Sequence, residues 1–236
     1  MNEIKLQLFL SHNGVCSRRN ALDIIKAGSV RVNGRKVTEP SVKIDPGRDI
    51  VSVGGKEISE KNYDYILFNK PKGFITTKKD KFADKTILDL LPRQYHHLSP
   101  VGRLDKDTEG LLLLTNDGDS AYKLTHPKFN IDKTYFVNIL GRLEVKSKRL
   151  LENGIFIDKS RTSKAKIRII RLKNKDTELL LTIHEGKKRQ VRRMFSKVGH
   201  KVVYLKRLSQ GPLSLGNLRL GKFRLLTKQE IELIRK

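Results

Sequence analysis

Residues 102–114 read GRLDKDTEGLLLL, and they set three carboxylates, Asp105, Asp107 and Glu109, at alternate positions directly before four leucines. The leucine run predicts a buried strand, and a strand of that kind holds the end of the loop in front of it. Asp105 stands apart from the other two because Gly102, Arg103 and Leu104 precede it: a flexible residue, a cation and an apolar packer. Asp107 and Glu109 read as solvated or paired carboxylates of a polar turn. Spacing alone does not separate a catalytic Asp105 from a structural ion pair.

The acidic loop belongs to a strongly basic chain. Its 236 residues carry 50 Lys and Arg against 25 Asp and Glu, a formal charge of +25, while 37% hydrophobic residues suffice for a packed core in one or two domains. Self-repulsion of that size is relieved by a polyanion, so nucleic acid is the leading partner and an anionic membrane the second. A membrane binder needs a basic amphipathic helix with a broad apolar face, and no segment supplies one. No stretch approaches the ~18 apolar residues of a spanning helix. The N-terminal IKLQLFL is broken by Lys5 and Gln7 and has no signal-peptide cleavage pattern after it, so a cytoplasmic protein is expected. The single cysteine, Cys16, excludes an internal disulfide and a multi-cysteine zinc site; no structural metal is expected, and Cys16 reads as a small buried residue near a helix start.

Toward the N-terminus, Ile4, Leu6, Phe9 and Leu10 fit a short helix running to Gly14. A second helix starts after the capping residue Ser17, buries Ala21, Leu22, Ile24 and Ile25, and stops at Gly28. In SVRVNGRKV, Asn33-Gly34 is a favoured hairpin turn between Val30, Val32 and Val37. Arg31, Arg35 and Lys36 project around it, near Arg18 and Arg19 if the hairpin folds back on the second helix. SEKNYD, residues 59–64, reads as a polar linker. Residues 1–61 hold eleven basic and seven acidic groups, so most of the excess charge lies in the larger C-terminal part.

That part mixes strands and helices without a regular βαβ period, which argues for an α+β domain. Strands are expected at YILFNK, FITT, LLLLT, KTYFVNIL, AKIRIIRL, ELLLTIH and VVYLKRLSQ, and helices at DKTILDLL, DSAYKLTH, KSKRLLEN, KKRQVRRMFSKVG and TKQEIELIRK. From His184 to Arg207 nine basic residues face one acid, Glu185: Lys187, Lys188, Arg189, Arg192, Arg193, Lys197, Lys201, Lys206 and Arg207. On a helix, Arg189 and Arg193 share one face while Val191 and Phe195 turn to the core.

Two resemblances organise these observations. The segment GVCSRRNALDIIKAGSVRVNGRKVTEPSVKIDPGRDIVSV resembles the small RNA-binding domain first seen in ribosomal protein S-four, which implies an RNA-docking module over about the first 60 residues. The segments NKPKGFITT, SPVGRLDKDTEGLLLLTNDG, KTYFVNI and EGKKRQVRRMFSKVGHKVVYLKRLSQGPLSLGNL stand in the order found in ribosomal RNA pseudouridine synthases of the RsuA and RluB type. With the N-terminal module included, the resemblance covers essentially the whole chain. It implies an RNA-binding domain at 1–60 made of a helix pair and a hairpin, a linker at 61–64, and a catalytic domain at 65–236 on a mixed, mainly antiparallel sheet. It places the catalytic aspartate at Asp105, the active-site tyrosine at Tyr135, a basic partner for the aspartate at Arg192 and an apolar packing residue at Leu205. Lys70 and Pro71 match the family's turn near the site.

Such a synthase detaches uracil from its ribose, rotates it and rejoins it through carbon five, with no cofactor or metal. RNA contacts are expected from Arg18, Arg19, Arg31, Arg35, Lys36, Lys70, Arg103, Lys187, Lys188, Arg189 and Arg193. The GPLSLGNL tail is closer to the branch acting on large-subunit ribosomal RNA or an assembly intermediate, and a monomer is expected. The rivals are a small-subunit enzyme and a non-catalytic ribosome-assembly factor.

Overall fold

In a computed structural model of the protein, residues 3–59, 63–77, 85–157, 160–173 and 175–235 are described. They form two compact units, Met1–Asp64 with Asn116–Gly118, and Tyr65–Thr115 with Asp119–Lys236. Of the expected linker at 61–64, residues 61 and 62 lie outside the described residues.

In the smaller unit, α1 (Leu6–His12) and α2 (Arg18–Lys26) pack on a four-stranded antiparallel sheet of β1 (Val30–Val32), β2 (Arg35–Val37), β3 (Val51–Val53) and β4 (Lys56–Glu57), in the order β2-β1-β3-β4. Leu6, Phe9, Leu10, Ala21, Ile25, Val30, Ile44 and Val51 make its core. Ser17 caps α2 by accepting the Asn20 amide at 3.2 Å. Asn33 and Gly34 both take positive φ, 50° and 77°, as a two-residue hairpin turn demands. The first helix begins two residues later than its apolar pattern suggests, because Ile4 pairs with Ile44 as extended chain. That partner lies 40 residues away, so local periodicity does not show it.

The larger unit is built on a nine-stranded sheet. Its main strands in chain order are β5 (Tyr65–Lys70), β6 (Glu109–Thr115), β7 (Lys133–Leu140), β8 (Lys166–Leu172), β9 (Asp176–Ile183), β10 (Val202–Gln210) and β11 (Phe223–Leu225). Their spatial order is β8-β9-β7-β10-β6-β5-β11, and every neighbour is antiparallel except β10 with β6. The helices are α3 (Gly118–Thr125), α4 (Val145–Asn153), α5 (Gln190–Lys197) and α6 (Lys228–Arg235). Leu111 to Leu114 are wholly buried, so β6 is covered on both faces. β7 alternates instead, burying Lys133, Tyr135, Val137 and Ile139.

The parallel contact between β6 and β10 requires a glycine. Gly110 has φ +107°, and a Cβ added there meets the Arg207 carbonyl oxygen at 2.2 Å. The end of the acidic loop is thereby pinned against the strand that carries Leu205.

Three expected elements differ. FITT forms no strand; Ile75 makes an isolated bridge to Thr86, and the Thr76 hydroxyl donates to Leu104 O at 2.8 Å and accepts from Leu104 N at 3.2 Å. DKTILDLL yields only a 3-10 turn at Ile87–Leu90, capped by hydrogen bonds from Thr86 to Asp89. The basic helix starts at Gln190, because Arg189 takes a left-handed φ of 49°. Among the described residues no helix is long and apolar enough to cross a membrane.

Candidate active site

The loop 102–108 leaves the sheet at the point where β6, β7 and β10 lie side by side, and it opens a cavity of about 440 Å³. Asp105, Tyr135 and Leu205 line this cavity together with Arg103, Lys187, Lys188 and Arg189. Tyr135 faces it because alternate β7 residues point to one side of the sheet. Val191 and Ile183 supply further apolar wall. Asp105 is half-buried, and among the described residues none hydrogen-bonds or ion-pairs with its carboxylate. The Tyr135 ring is 8% exposed and its hydroxyl bonds to no group among the described residues, so both remain available to an occupant.

Behind the loop, Lys70 is completely buried. Its ammonium donates to the carbonyl oxygens of Pro71 at 3.0 Å, Asp105 at 3.1 Å and Thr108 at 3.0 Å. Burial brings this lysine down to about 8, even though the charges of Asp105, Asp107 and Glu109 act the other way. An RNA contact by Lys70 is therefore corrected: a side chain with no exposed surface cannot reach phosphate, and its three donors are spent on the loop that carries Asp105. Thr76 holds the residue before Asp105 from another side. Neither role is visible in sequence, since a lysine beside Pro-Lys-Gly and a threonine in an apparent strand give no sign of carbonyls placed later in the chain.

Arg192 also differs from expectation. It lies in an adjoining cavity of about 610 Å³ and meets Asp107: its Nε is 3.1 Å from Asp107 Oδ2, Nη2 donates to Asp107 O at 2.9 Å, and Nη1 donates to Val202 O at 3.0 Å. The Nε group is buried but badly aligned for a hydrogen bond, so the contact is an ion pair by proximity. Arg189 completes the arrangement with two parallel hydrogen bonds to the Asp107 carboxylate, at 3.1 and 3.2 Å. Burial alone would raise the Asp107 carboxyl; the Arg189 hydrogen bonds and both guanidinium charges outweigh it and hold the group below its ordinary range. The helix pitch that brings Arg192 to the loop delivers it to the second carboxylate, two residues beyond Asp105.

The basic loop before α5 is fixed by a buried glutamine. Gln190 accepts the Lys187 amide at 2.9 Å and donates to Glu185 at 2.5 Å, which fixes the backbone there; the Lys187 ammonium donates to Arg161 O at 2.9 Å and lies 3.3 Å from Glu185, while Lys188 is exposed. Arg193 donates to Lys188 O at 3.2 Å on the other side of that loop, next to Arg192. In the smaller unit Arg18, Arg19, Arg31, Arg35 and Lys36 are all exposed. Lys36 packs across Gly28 at the far end of α2, roughly 15 Å along the helix from Arg18 at 1.5 Å per residue. The hairpin therefore sets Lys36 at the end of α2 remote from Arg18. Cys16 is half-buried, and burial raises its thiol. Among the described residues no group of three or more His, Cys, Asp or Glu is arranged to hold a metal.

A match to the family described as RNA pseudouridylate synthase spans residues 64–197, which includes the whole Asp105 loop, Tyr135 and α5. The chain belongs to this family. A second match, to the S4 domain, covers residues 4–50 of the synthase. It is 44% identical over 233 residues to the ribosomal large subunit pseudouridine synthase B of Bacillus subtilis, covering 98% of this chain and 95% of that one. An RNA pseudouridine synthase of Aquifex aeolicus is 40% identical over 232 residues, covering 98% and 93%. A crystal structure of a pseudouridylate synthase superimposes with a TM-score of 0.70 at 33% identity, covering 98% of this chain and 99% of the other. The synthase is thus an RNA-directed isomerase with an RNA-binding domain at its N-terminal end.

Proposed function

We propose that the enzyme converts a uridine of large-subunit ribosomal RNA to pseudouridine in the 440 Å³ cavity, with Asp105 acting on the ribose. The observation that carries this reading is a half-buried carboxylate without a partner among the described residues, set beside an aromatic ring with a free hydroxyl and rimmed by four cations. The cavity falls within the roughly 300–1,000 Å³ of small-molecule sites, enough for one extruded nucleoside. Breaking the bond between N1 and the anomeric carbon and forming one from C5 leaves composition unchanged: a proton departs C5 and one is gained at N1. Asp105 either attacks the anomeric carbon or removes the adjacent ribose proton, and both routes need an unencumbered carboxylate. Tyr135 stacks the freed uracil and its hydroxyl assists at C5, while Leu205 closes the floor. Arg103, Lys187, Lys188 and Arg189 take flanking phosphates and offset the few kcal/mol of unstacking. Arg192 positions the loop through Asp107.

The large-subunit target rests on likeness to the Bacillus subtilis enzyme, and a cytoplasmic monomer completes the reading. Pseudouridine mapping of both ribosomal RNAs, in cells lacking the protein and in cells restored with it, tests the assignment. One large-subunit site should vanish and return. Loss of a small-subunit site would transfer the target, and unchanged maps would remove ribosomal RNA as the substrate.

The smaller unit supplies docking affinity through phosphate contacts rather than base reading. Replacing Arg18 and Arg19 together by Gln should weaken binding and lower the slope of log affinity against log salt by about 1 for each phosphate no longer neutralised. An unchanged slope in a salt titration would remove both arginines from the interface.

A further inference from the structure

Three aromatic side chains stand together on the surface of the larger unit, where α3 runs into a short 3-10 turn, Pro127–Phe129. Tyr122 and Phe129 are 46% and 37% exposed, and His126 is exposed beside them. The Tyr122 and Phe129 rings meet edge to face with centroids 5.7 Å apart, and the His126 ring lies 4.7 Å from that of Tyr122. Lys128 Nζ rests 5.1 Å and 4.7 Å from the Tyr122 and Phe129 centroids. The backbone beneath them is stiff: Pro127 starts the turn, Asn130 ends it at φ 49°, and the Lys128 amide donates to His126 Nδ1 at 3.2 Å. Apolar side chains scattered singly over a surface need no explanation, but three rings gathered on a fixed turn under a cation do.

Their position suggests what covers them. Gly102 lines the Asp105 cavity, and a Cβ added to it meets Thr125 Cγ2 at 3.5 Å. The end of α3 therefore abuts the rim of the active site. Tyr122 lies one helical turn before Thr125, and His126 follows it. A uridine drawn into the cavity leaves its neighbour in the strand without a stacking partner, and aromatic faces beside a cation are what an unpaired base and its phosphate require.

Resting on the proposed reading of the Asp105 site, we propose that Tyr122, His126 and Phe129 form a stacking platform for an unpaired RNA base flanking the target uridine. In the free protein Lys128 occupies the ring faces. An arriving base takes those faces and displaces the ammonium onto the adjoining phosphate, exchanging a cation–π contact for a charge pair.

The test uses the full chain and a short single-stranded oligouridylate carrying one 2-aminopurine, whose fluorescence is quenched by stacking. Wild type and Tyr122→Phe, which keeps the ring, should quench on binding. The double variant Tyr122→Leu, Phe129→Leu should lose the quench and bind roughly tenfold more weakly. Lys128→Gln, at an exposed position that leaves the fold intact, should lower the salt slope of binding. Equal quenching by wild type and the double variant, or an unaltered slope for Lys128→Gln, would overturn the platform. Asp105→Asn leaves these rings in place and should quench as wild type does. If Asp105→Asn still forms pseudouridine, the active-site reading fails while the platform stands; if wild type isomerises and the double variant quenches equally, only the platform fails.

Discussion

Asp105→Asn should leave RNA bound and the uridine unmodified. The substitution keeps the shape of the side chain and removes its charge, so a carboxylate that attacks carbon or accepts a proton is lost, and the rate falls on the order of 10⁴-fold. Stability should fall only modestly. Among the described residues nothing hydrogen-bonds to the Asp105 carboxylate, so no hydrogen-bond partner is orphaned, but the buried Lys70 ammonium loses one of the charges that favour it, and the loss should be about 1 kcal/mol. Binding should hold or tighten slightly, because one negative charge leaves a cavity rimmed by Arg103, Lys187, Lys188 and Arg189. Single-turnover pseudouridine formation on a ribosomal RNA transcript, read beside filter binding and a thermal melt, separates these quantities. Residual turnover near the wild-type rate would refute the role of Asp105. A parallel collapse of binding or melting temperature would make the residue structural.

The contrasting behaviour of Asp107 follows from the same geometry. Asp107 is two residues away and carries two arginines, one of them through paired hydrogen bonds. A turn closed by the Thr108 amide on Asp105 O, at 3.1 Å, separates Asp105 from Asp107, and Glu109 accepts the Tyr204 hydroxyl at 2.7 Å, so among the described residues Asp105 alone of the three has no partner in contact with its carboxylate. The run of three and the buried strand behind it are plain in the sequence. Which carboxylate the arginines choose is not, because that depends on where α5 ends its approach, more than 80 residues later in the chain.

The strands are the legible part of the fold. Lys133–Leu140 alternates buried and partly buried positions, and Leu111–Leu114 is apolar without a break, so both patterns survive in the residues themselves. FITT fails for a reason of the same kind that hides the first strand pair at Ile4: hydrogen-bond partners lie far away in sequence, and a threonine that bonds the Leu104 backbone looks like a threonine in a sheet. The start of α5 is not legible because Arg189 is an ordinary helix former by propensity. Its left-handed backbone goes with a guanidinium that pairs with Asp107, a partner far earlier in the chain that helix propensity does not show. Asp105 itself stands out by its setting and is assigned by resemblance; composition and spacing do not carry it that far.

Lys70 gives the second large effect, and it separates positioning from stability. Lys70→Met keeps the apolar stem and removes the ammonium that gathers the carbonyls of Pro71, Asp105 and Thr108. All three lose this donor, but Asp105 O retains the Thr108 amide at 3.1 Å, so the main cost falls on the carbonyls of Pro71 and Thr108, at about 1–3 kcal/mol each. Against that, the wild-type chain carries a buried cation whose depression from 10.5 to about 8 costs on the order of 3 kcal/mol at neutral pH. The two terms nearly cancel, and the net loss of stability at pH 7 should be modest, about 1–2 kcal/mol. Activity has no such compensation: an aspartate displaced by about 1 Å loses roughly 10²-fold in rate, so kcat should fall far more than KM changes. The pH dependence fixes the cause. The folded lysine releases its proton near 8 and the unfolded one near 10.5, so between those values the unfolded chain holds more protons and wild-type stability gains with rising pH. Met at position 70 has no such linkage, and the stability gap between wild type and variant should widen across that window in urea titrations. Over the same range the wild-type kcat should decline, since a neutral amine has two protons for three carbonyls. A gap that stays constant from pH 8 to 10.5, or a variant kcat within twofold of wild type, would show that the loop holds Asp105 without Lys70.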